Sequence, residues 1–287
     1  MSGSAFTRPA VIGAGTMGIG IAEVLAAAGH DVQVLELSRE VFDRAMDGLR
    51  KRLSRQVEKG RLTAEQADAV SGRIRYAESV EELADRDIVI EAIVERLDVK
   101  KDLFARLEQS VSESTVLASN TSSLPITAIA AAVRHPGRVM GLHFFNPAPL
   151  MPLVEVISAA ETDPELAERA YAWLKEIGKE PVKVSDSPGF LVNRVARPFH
   201  LEPYRIVGEG IASKEQVDRI MRAAGFKMGP FQLQDLIGID INYAASVSVY
   251  EAYFHEPRLR PHFAQRMMVE RGALGRKTGK GHYRYES

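Results

Sequence analysis

Two residues that could work together in proton transfer, His143 and Glu155, lie 12 positions apart in the chain. Each sits in a strand-like run, and a proline-rich turn separates the two runs. The unperturbed pKa of histidine is about 6.5, so its imidazole can accept a proton near neutral pH, and a neighbouring carboxylate would orient the ring and stabilise the imidazolium. The pair therefore indicates a general base that could take the proton of a substrate hydroxyl group. The alternative is a structural or exposed histidine, the commoner role of a lone histidine near a strand end.

A second polar segment, SNTSSL, follows another predicted strand and contains Asn120 and Ser122. From there these side chains could contact a substrate. Serine and asparagine are also common turn residues and helix caps, and a helix is predicted to start near Pro125, so both roles stay open. Glu95 lies just past the DIVIEA run, at the edge of such sheets where cofactors bind. Glu91 and Glu95 could instead be solvated carboxylates.

A glycine pattern, GAGTMG, directly follows an apolar run and opens a predicted helix. In this G-x-G-x-x-G spacing the first glycine permits a tight turn, the second permits close approach of a pyrophosphate, and the third permits helix–strand packing. Without that context, the glycines would make an ordinary loop. Glu36, at the end of the next strand, would bind ribose hydroxyls and repel the extra phosphate of NADP, so NAD is the predicted cofactor. The predicted contacts from the loop are Gly13, Gly15, Thr16, Met17 and Gly18.

The elements that must position these residues alternate between strand and helix in the first half of the chain. This alternation predicts βαβ units and a mainly parallel sheet, an α/β Rossmann-type dinucleotide-binding domain. Two helical patterns that meet near Gly60 interrupt the alternation, and Thr63 and Gln66 have the spacing of a capping box, so a protruding helical hairpin is predicted. The predicted strands are Val11–Ile12, Val32–Leu35, Ile88–Ile90, Val116–Leu117, Val139–Leu142, Val154–Ile157 and Val182–Val184.

After residue 186 the pattern changes to long helical stretches broken by glycines. We therefore predict an NAD-binding domain at residues 1–186 and an all-α C-terminal domain at residues 187–287. The second domain is rich in Ile, Val and Tyr, and a domain of about 100 residues has a limited capacity to bury apolar surface alone. A two-fold homodimer is the predicted solution. The alternative is that these side chains fill the domain's own core.

Composition excludes several classes of protein. The 287 residues include no cysteine, which excludes a disulfide scaffold, a thiol nucleophile and a thiolate zinc site, and no metal site is predicted. Because 37 basic residues balance 38 acidic ones, no overall field attracts nucleic acid or a membrane surface. No stretch is apolar enough to span a bilayer, and residues 1–10 lack a signal-peptide pattern. The expected location is the cytoplasm.

The sequence resembles the L-3-hydroxyacyl-CoA dehydrogenase family in seven stretches that follow one another along nearly the whole chain. They read VIGAGTMGIGIA, IVIEAIVERLDVKKDLF, LASNTSSLPIT, GLHFFNPAPLMPLVEVI, DSPGFLVNRVARP, GFKMGPFQLQDLIGID and LGRKTGKGHYRY. The resemblance implies NAD-dependent, reversible oxidation of L-3-hydroxyacyl-CoA to 3-ketoacyl-CoA, and a helical domain that pairs two subunits. The last hundred residues are most similar to the branch that acts on 3-hydroxyadipyl-CoA, and 3-hydroxybutyryl-CoA is the other candidate substrate.

The resemblance also implies roles for individual residues. His143 is the base and Glu155 its partner, Ser122 hydrogen-bonds the substrate, and Asn193 orients the reacting group. A capping role for Asn193 in the linker stays open. The family often has aspartate where this chain has Glu36. Further cofactor contacts are implied for Ala92, Glu95, Lys100, Asn146 and Lys277.

A basic run lies on the predicted hairpin and has only Glu58 opposing it. Arg52 and Lys59 are seven residues apart, so two helical turns place them on one face. With the resemblance, they would bind the phosphates of CoA, through a guanidinium fork and an ammonium point charge. The alternative is a solvated helix face, the usual role of a charge run. The run comprises Arg50, Lys51, Arg52, Arg55, Lys59 and Arg61.

Two other functions stay open from the sequence. A related sugar-acid dehydrogenase could use the same scaffold, but it would have no use for a basic hairpin. A catalytically silent NAD-binding or structural homologue would not require the full set of Ser122, His143, Glu155 and Asn193.

Overall fold

The computed structural model describes residues 6–285. The chain divides into two units, residues 1–186 and residues 187–287. Among the described residues, no helix combines the length and the apolar character that crossing a membrane requires.

The first unit is built on one eight-stranded sheet. Its strands are β1 (Pro9–Ile12), β2 (Val32–Leu35), β3 (Ile74–Ala77), β4 (Ile88–Glu91), β5 (Val116–Ser119), β6 (Val139–Phe144), β7 (Leu153–Ser158) and β8 (Glu180–Ser185). They lie in the order β3-β2-β1-β4-β5-β6-β7-β8, and every pair is parallel except β6 with β7. The strand order reverses between β1 and β4, and ligands of such sheets bind at this switch point, beside the carboxyl ends of the strands. The predicted mainly parallel sheet is confirmed.

One strand, β3, was missed by the sequence prediction. Its four residues, IRYA, do not form a β-branched run, because the exposed Arg75 and the half-buried Tyr76 interrupt it. β3 is an edge strand that pairs only with β2, so one side chain in four can point to solvent without disturbing the sheet.

Helices flank this sheet: α1 (Thr16–Ala27), α2 (Arg39–Glu58), α3 (Ala64–Gly72), α4 (Leu97–Ser110), α5 (Ile126–Ala130) and α6 (Pro164–Glu176). α2 and α3 form the predicted hairpin, and the predicted capping box is present, with the Thr63 hydroxyl accepting from the Gln66 backbone N–H at 3.1 Å. Side chains three and four positions apart on α2 form one apolar face that is buried in the core of this unit. They are Phe42, Met46, Leu49 and Leu53.

The second unit is helical, as predicted. It contains α7 (Val192–Gly208), α8 (Lys214–Ala223), α9 (Pro230–Ile237), α10 (Ile239–Ala252) and α11 (Phe263–Glu270). The predicted glycine-containing breaks after residues 208 and 223 separate α7 from α8 and α8 from α9, whereas the predicted break after residue 270 follows α11, the last of these helices. Ile239 and Val249 are buried, whereas Ile237 and Ile241 are 40% and 55% exposed.

Two buried carboxylates hold the last described segment of the helical unit. Asp235 accepts hydrogen bonds from the backbone N–H groups of His282 and Tyr283, at 2.9 and 3.0 Å, and from the Tyr285 hydroxyl at 2.8 Å. Asp218 accepts from the Tyr283 hydroxyl at 2.7 Å. The segment that ends in GHYRY is therefore fixed to α8 and α9 by charge-assisted bonds, which are stronger than neutral ones.

Candidate active site

The predicted acid–base pair forms across the antiparallel pair β6 and β7. His143 and Glu155 are directly opposite in the register, so their side chains share one face of the sheet. His143 Nδ1 lies 2.7 Å from Glu155 Oε2, and the two residues are 5% and 0% exposed. A neutral imidazole that donates from Nδ1 to this carboxylate carries its lone pair on Nε2. The ring of Phe145 packs beside the imidazole, with 4.3 Å between ring centroids.

Asn120 holds the strand that carries the histidine. Its Oδ1 accepts a hydrogen bond from the backbone N–H of Phe144 at 2.8 Å, which links the end of β5 to the end of β6. Of the two roles left open for Asn120, capping of the next helix does not occur, because α5 begins after Pro125 and no side chain caps it. Thr121 organises the turn instead, since its hydroxyl accepts from the backbone N–H of Leu124 at 2.9 Å.

Glu91 is buried, so the expectation of a solvated carboxylate is wrong for this residue. It is 0% exposed at the end of β4, where the sheet is covered on both faces. Its Oε1 accepts from Lys100 Nζ at 2.5 Å and from the Ile93 backbone N–H at 2.7 Å, and its Oε2 accepts from the Ser119 hydroxyl at 2.6 Å. Sequence reasoning missed this network. An acid inside the apolar IVIEA run, followed nine residues later by a lysine, is the signal that could have found it.

Glu95 fixes the turn that carries Ser122. Its Oε1 accepts from the Thr121 hydroxyl at 2.6 Å, the Ser122 backbone N–H at 3.0 Å and the Ser123 hydroxyl at 3.1 Å. Burial alone would raise the pKa of this carboxyl, but the Thr121 hydrogen bond and the charge of Lys100, 3.4 Å away, hold it below its usual value. Glu95 is therefore an anion at neutral pH, and it positions Ser122.

The glycine loop has the shape that a pyrophosphate requires. Gly13 has φ +97°, and a Cβ there would lie 2.8 Å from the Ala92 carbonyl oxygen. A Cβ on Gly18 would lie 1.8 Å from the Gly13 carbonyl oxygen, so only glycine lets α1 approach the loop. A Cβ on Gly15 would meet nothing within 4 Å, and Gly15 is an N-cap whose helix no side chain caps. The space beside Gly15 is therefore open, and no side chain caps the first N–H groups of α1, as phosphate binding needs.

Glu36 lies beside this loop. Its Oε2 accepts from the backbone N–H of Ala14 and its Oε1 from that of Leu37, both at 2.8 Å. The Tyr76 hydroxyl donates to the Glu36 carbonyl oxygen at 3.0 Å. The carboxylate is thus held next to the glycine loop, where the ribose of a dinucleotide is expected.

A cavity of about 660 Å³ lies between the glycine loop, the hairpin and the loop after β6. Its lining brings together predicted residues that are far apart in the sequence: Gly15, Thr16, Arg52, Lys59 and Asn146.

The hairpin side of the cavity is basic. Arg44 and Arg55 line it together with Arg52 and Lys59, and Arg44 was not among the sequence candidates. Arg52 Nη2 lies 2.8 Å from Glu23 Oε2, so one of the four cations is balanced by an acid in the same lining. This wall therefore keeps an excess of positive charge.

Two predicted residues lie in the helical unit. Asn193 is in the first turn of α7, where its backbone carbonyl oxygen accepts from Arg197 Nε at 3.0 Å. Lys277 forms a 2.7 Å ion pair with Asp240. Burial alone would raise the pKa of Asp240, but the hydrogen bond from Lys277 holds it below its usual value.

Comparison with known proteins decides the family. A sequence model described as "3-hydroxyacyl-CoA dehydrogenase, NAD binding domain" matches residues 9–187, and one described as "3-hydroxyacyl-CoA dehydrogenase, C-terminal domain" matches residues 189–285. The chain belongs to the 3-hydroxyacyl-CoA dehydrogenase family. The predicted family, the fold class and NAD as cofactor are confirmed, and the chain is an oxidoreductase whose family acts on acyl-CoA substrates.

The relatives carry two substrate names. A 3-hydroxyadipyl-CoA dehydrogenase of Escherichia coli K12 is 48% identical over 275 residues, which cover 96% of this chain and 58% of that protein. A probable 3-hydroxybutyryl-CoA dehydrogenase of Deinococcus radiodurans is 43% identical, with 96% and 99% covered. The crystal structure of a 3-hydroxybutyryl-CoA dehydrogenase from E. coli K12 superposes with a TM-score of 0.96 at 46% identity, covering 99% of this chain and 60% of that one. The chain thus spans about three fifths of the E. coli proteins and nearly all of the Deinococcus protein.

Proposed function

We propose that this protein oxidises L-3-hydroxyacyl-CoA to 3-ketoacyl-CoA with NAD, reversibly, with His143 as the general base. One observation carries the assignment of the base: the 2.7 Å contact between buried His143 Nδ1 and buried Glu155 Oε2 across β6 and β7. That contact orients the imidazole so that Nε2 can take the hydroxyl proton. A carboxylate at this distance stabilises the imidazolium that forms.

Bound NAD supplies the hydride acceptor. The chain's own residues place the alcohol and move its proton. Ser122, held by Glu95, would donate a hydrogen bond to the substrate oxygen, and Asn193 would orient the reacting group. Asn120 keeps His143 in place by holding the next backbone N–H in β6.

The cofactor contacts proposed from the sequence fit the fold of the first unit. The glycine loop, with Thr16 and Met17, would hold the pyrophosphate, and Glu36 would bind the ribose hydroxyls. Ala92, Glu95 and Asn146 follow strands of the sheet at the carboxyl edge where dinucleotides bind. Lys100 is 1% exposed, so we propose that it acts on the cofactor through Glu95. Lys277 stays a proposed contact.

Arg52 and Lys59 are proposed to bind the phosphates of CoA. The support is the basic wall of the cavity, in which Arg44 and Arg55 add to these two charges. A solvated face would not need four cations around one cavity beside a nucleotide loop. The relatives are named for two different acyl groups, 3-hydroxyadipyl and 3-hydroxybutyryl.

The division into domains at residue 186 and the homodimer are also proposals. Apolar side chains of the helical unit stay exposed within one chain, including Val195 (68%), Ile220 (64%) and Ile241 (55%). A second copy could cover them. Sedimentation at micromolar concentration tests this, because a single species near 31.6 kDa would contradict the dimer. The cytoplasmic location stays a prediction, which cell fractionation tests.

The absorbance of NADH in the presence of acetoacetyl-CoA tests the proposed function as a whole. Loss of absorbance with turnover supports it. Binding of NADH without turnover would indicate a catalytically silent homologue.

A further inference from the structure

The helical unit contains a buried cation that the proposed mechanism does not use. Arg197 is 3% exposed on α7, one helical turn after Asn193. Its Nε donates to the Asn193 carbonyl oxygen at 3.0 Å, and its Nη1 donates to the Asn242 carbonyl oxygen at 3.1 Å and to the Ser246 hydroxyl at 2.9 Å. These three bonds use Nε and Nη1, and Nη2 takes no part in them.

All three acceptors of Arg197 are uncharged. Among the described residues of the chain, no carboxylate forms an ion pair with this guanidinium. Burial lowers the pKa of Arg197 to about 10, so it remains a cation at neutral pH. Burial, and then this positive charge, lower the pKa of the adjacent His200 to about 3, so no second cation shares the site.

An isolated buried charge is costly, and proteins usually pair such charges with an opposite one. Arg197 also joins α7 to α10 through Asn242 and Ser246, but uncharged side chains can make such links without that cost. An anion brought by a ligand would balance the charge.

We propose that Arg197 binds the terminal carboxylate of a 3-hydroxyacyl-CoA whose acyl chain ends in an acid. This rests on the proposed function, in which Asn193 orients the reacting group. The Nε bond to the Asn193 carbonyl oxygen shows that the arginine leans back toward that residue, as helical side chains do. The guanidinium therefore lies within one turn, about 5 Å, of the backbone of Asn193.

The length of the acyl chain follows from this spacing. In a six-carbon chain the terminal carboxyl carbon is three bonds beyond the hydroxyl carbon, about 4–5 Å at roughly 1.5 Å per bond. A chain of this length can place its carboxylate at Nη2 while its hydroxyl carbon is beside Asn193. A four-carbon chain ends too early and carries no charge.

The test compares two CoA esters whose acyl chains have equal length. The chain of 3-hydroxyadipyl-CoA ends in a carboxylate, and that of 3-hydroxyhexanoyl-CoA ends in a methyl group. The quantity measured is the ratio of their kcat/KM values in the wild type and in Arg197→Gln, Arg197→Lys and Arg194→Gln. Arg194 is an exposed arginine on the same helix, so its variant is the matched control for loss of charge. A charge-assisted hydrogen bond contributes about tenfold to a hundredfold in affinity.

We expect the wild type to favour the dicarboxylic ester and Arg197→Gln to lower the ratio about tenfold to a hundredfold. Arg197→Lys should restore part of the ratio, and Arg194→Gln should keep it. Because Arg197 also holds the backbone of Asn193 in place, its variants should lose activity on both esters. The ratio of the two kcat/KM values removes this shared loss and reports only the recognition of the terminal carboxylate.

Three results would overturn the proposal: a wild type that does not favour the dicarboxylic ester, an Arg197→Gln variant with an unchanged ratio, or a ratio that changes in Arg194→Gln instead. If Arg197→Gln does not fold, the wild-type ratio and the Arg197→Lys variant decide. Calorimetry that measures the affinity of the wild type for each ester distinguishes a failure of this proposal from a failure of the proposed activity. Absent turnover would refute the activity, whereas equal affinities would refute the role of Arg197.

Discussion

The buried ion pair of Glu91 and Lys100 gives a sharp prediction for stability. Both side chains are 1% exposed, and Nζ lies 2.5 Å from Oε1. The change Glu91→Ala leaves the ammonium buried with Glu95, 3.4 Å away, as its carboxylate partner, and it removes the acceptor of the Ser119 hydroxyl. Removal of one partner of a buried pair typically costs about 3–5 kcal/mol. Because Glu95 retains part of the charge balance, we expect a loss of about 3 kcal/mol.

The chain offers a matched control. Glu168 and Lys183 form an ion pair with the same 2.5 Å distance, but their side chains are 64% and 45% exposed. Exposed pairs contribute about 0–1 kcal/mol, so Glu168→Ala should have little effect on stability. The double variant Glu91→Leu/Lys100→Met removes both buried charges, and it should recover most of the loss, because apolar replacement of a buried pair is often neutral.

Thermal unfolding of the four proteins measures this difference. For a unit of 186 residues, a loss of about 3 kcal/mol lowers Tm by about 6–12 °C. The reasoning is refuted if Glu91→Ala lowers Tm no more than Glu168→Ala does. It is equally refuted if the double variant is less stable than Glu91→Ala alone.

Three further predictions concern the cofactor, the CoA handle and pH. Glu36→Ala should relax the preference for NAD over NADP in initial-rate assays, since it removes a partner for the ribose hydroxyls and a charge that repels phosphate. A wild type that already uses NAD and NADP equally well would contradict this role of Glu36. The double variant Arg52→Ala/Lys59→Ala should raise KM for acetoacetyl-CoA but not KM for the nicotinamide cofactor. This increase in KM should become smaller as the salt concentration rises and should be absent for the pantetheine thioester, which lacks the nucleotide. An equal loss of activity on both thioesters would show a role in folding instead. The pKa of His200 is lowered to about 3, so at mildly acidic pH the unfolded chain binds a proton there that the folded chain does not. The free energy of unfolding should therefore fall as pH drops below about 6.5, by up to about 1.4 kcal/mol per pH unit. Urea unfolding at pH 7 and pH 5 should show that this free energy depends less on pH in His200→Gln than in the wild type. An equal dependence on pH in the two proteins would argue against the role of His200.

The parts of the fold that the sequence predicted are those with local signals. The glycine pattern and the alternation of β-branched runs with helical patterns are set by neighbours within a few residues, so β1, α1 and β2 follow from them. The pairing of His143 with Glu155 could be proposed because one short turn joins their strands, which makes antiparallel neighbours of β6 and β7.

The parts that the sequence did not predict depend on contacts between distant segments. In the sequence Glu91 resembles an ordinary exposed acid. Its role follows only from the position of β4 inside the sheet, where Lys100 balances its charge and Ser119 and the Ile93 backbone donate further hydrogen bonds. Arg197 likewise cannot be distinguished from an exposed arginine in the sequence, because its burial depends on the packing of α10. A capping role for Asn120 stayed open because its actual partner, the Phe144 backbone N–H, lies 24 residues further along the chain and gives no local signal.

The most direct test of the central claim is the turnover number of His143→Gln with NADH and acetoacetyl-CoA. In this reductive direction the residue that acts as base in the oxidation must give its proton to the ketone oxygen, and glutamine keeps the size and polarity of the side chain but can neither take up nor give up that proton. A general base contributes about 10²–10⁴-fold, so kcat should fall by that factor while the Kd for NADH stays within about twofold of the wild type. His135→Gln, a histidine change outside the site, should keep the wild-type kcat. Near-normal turnover in His143→Gln would contradict the assignment of His143 as the base.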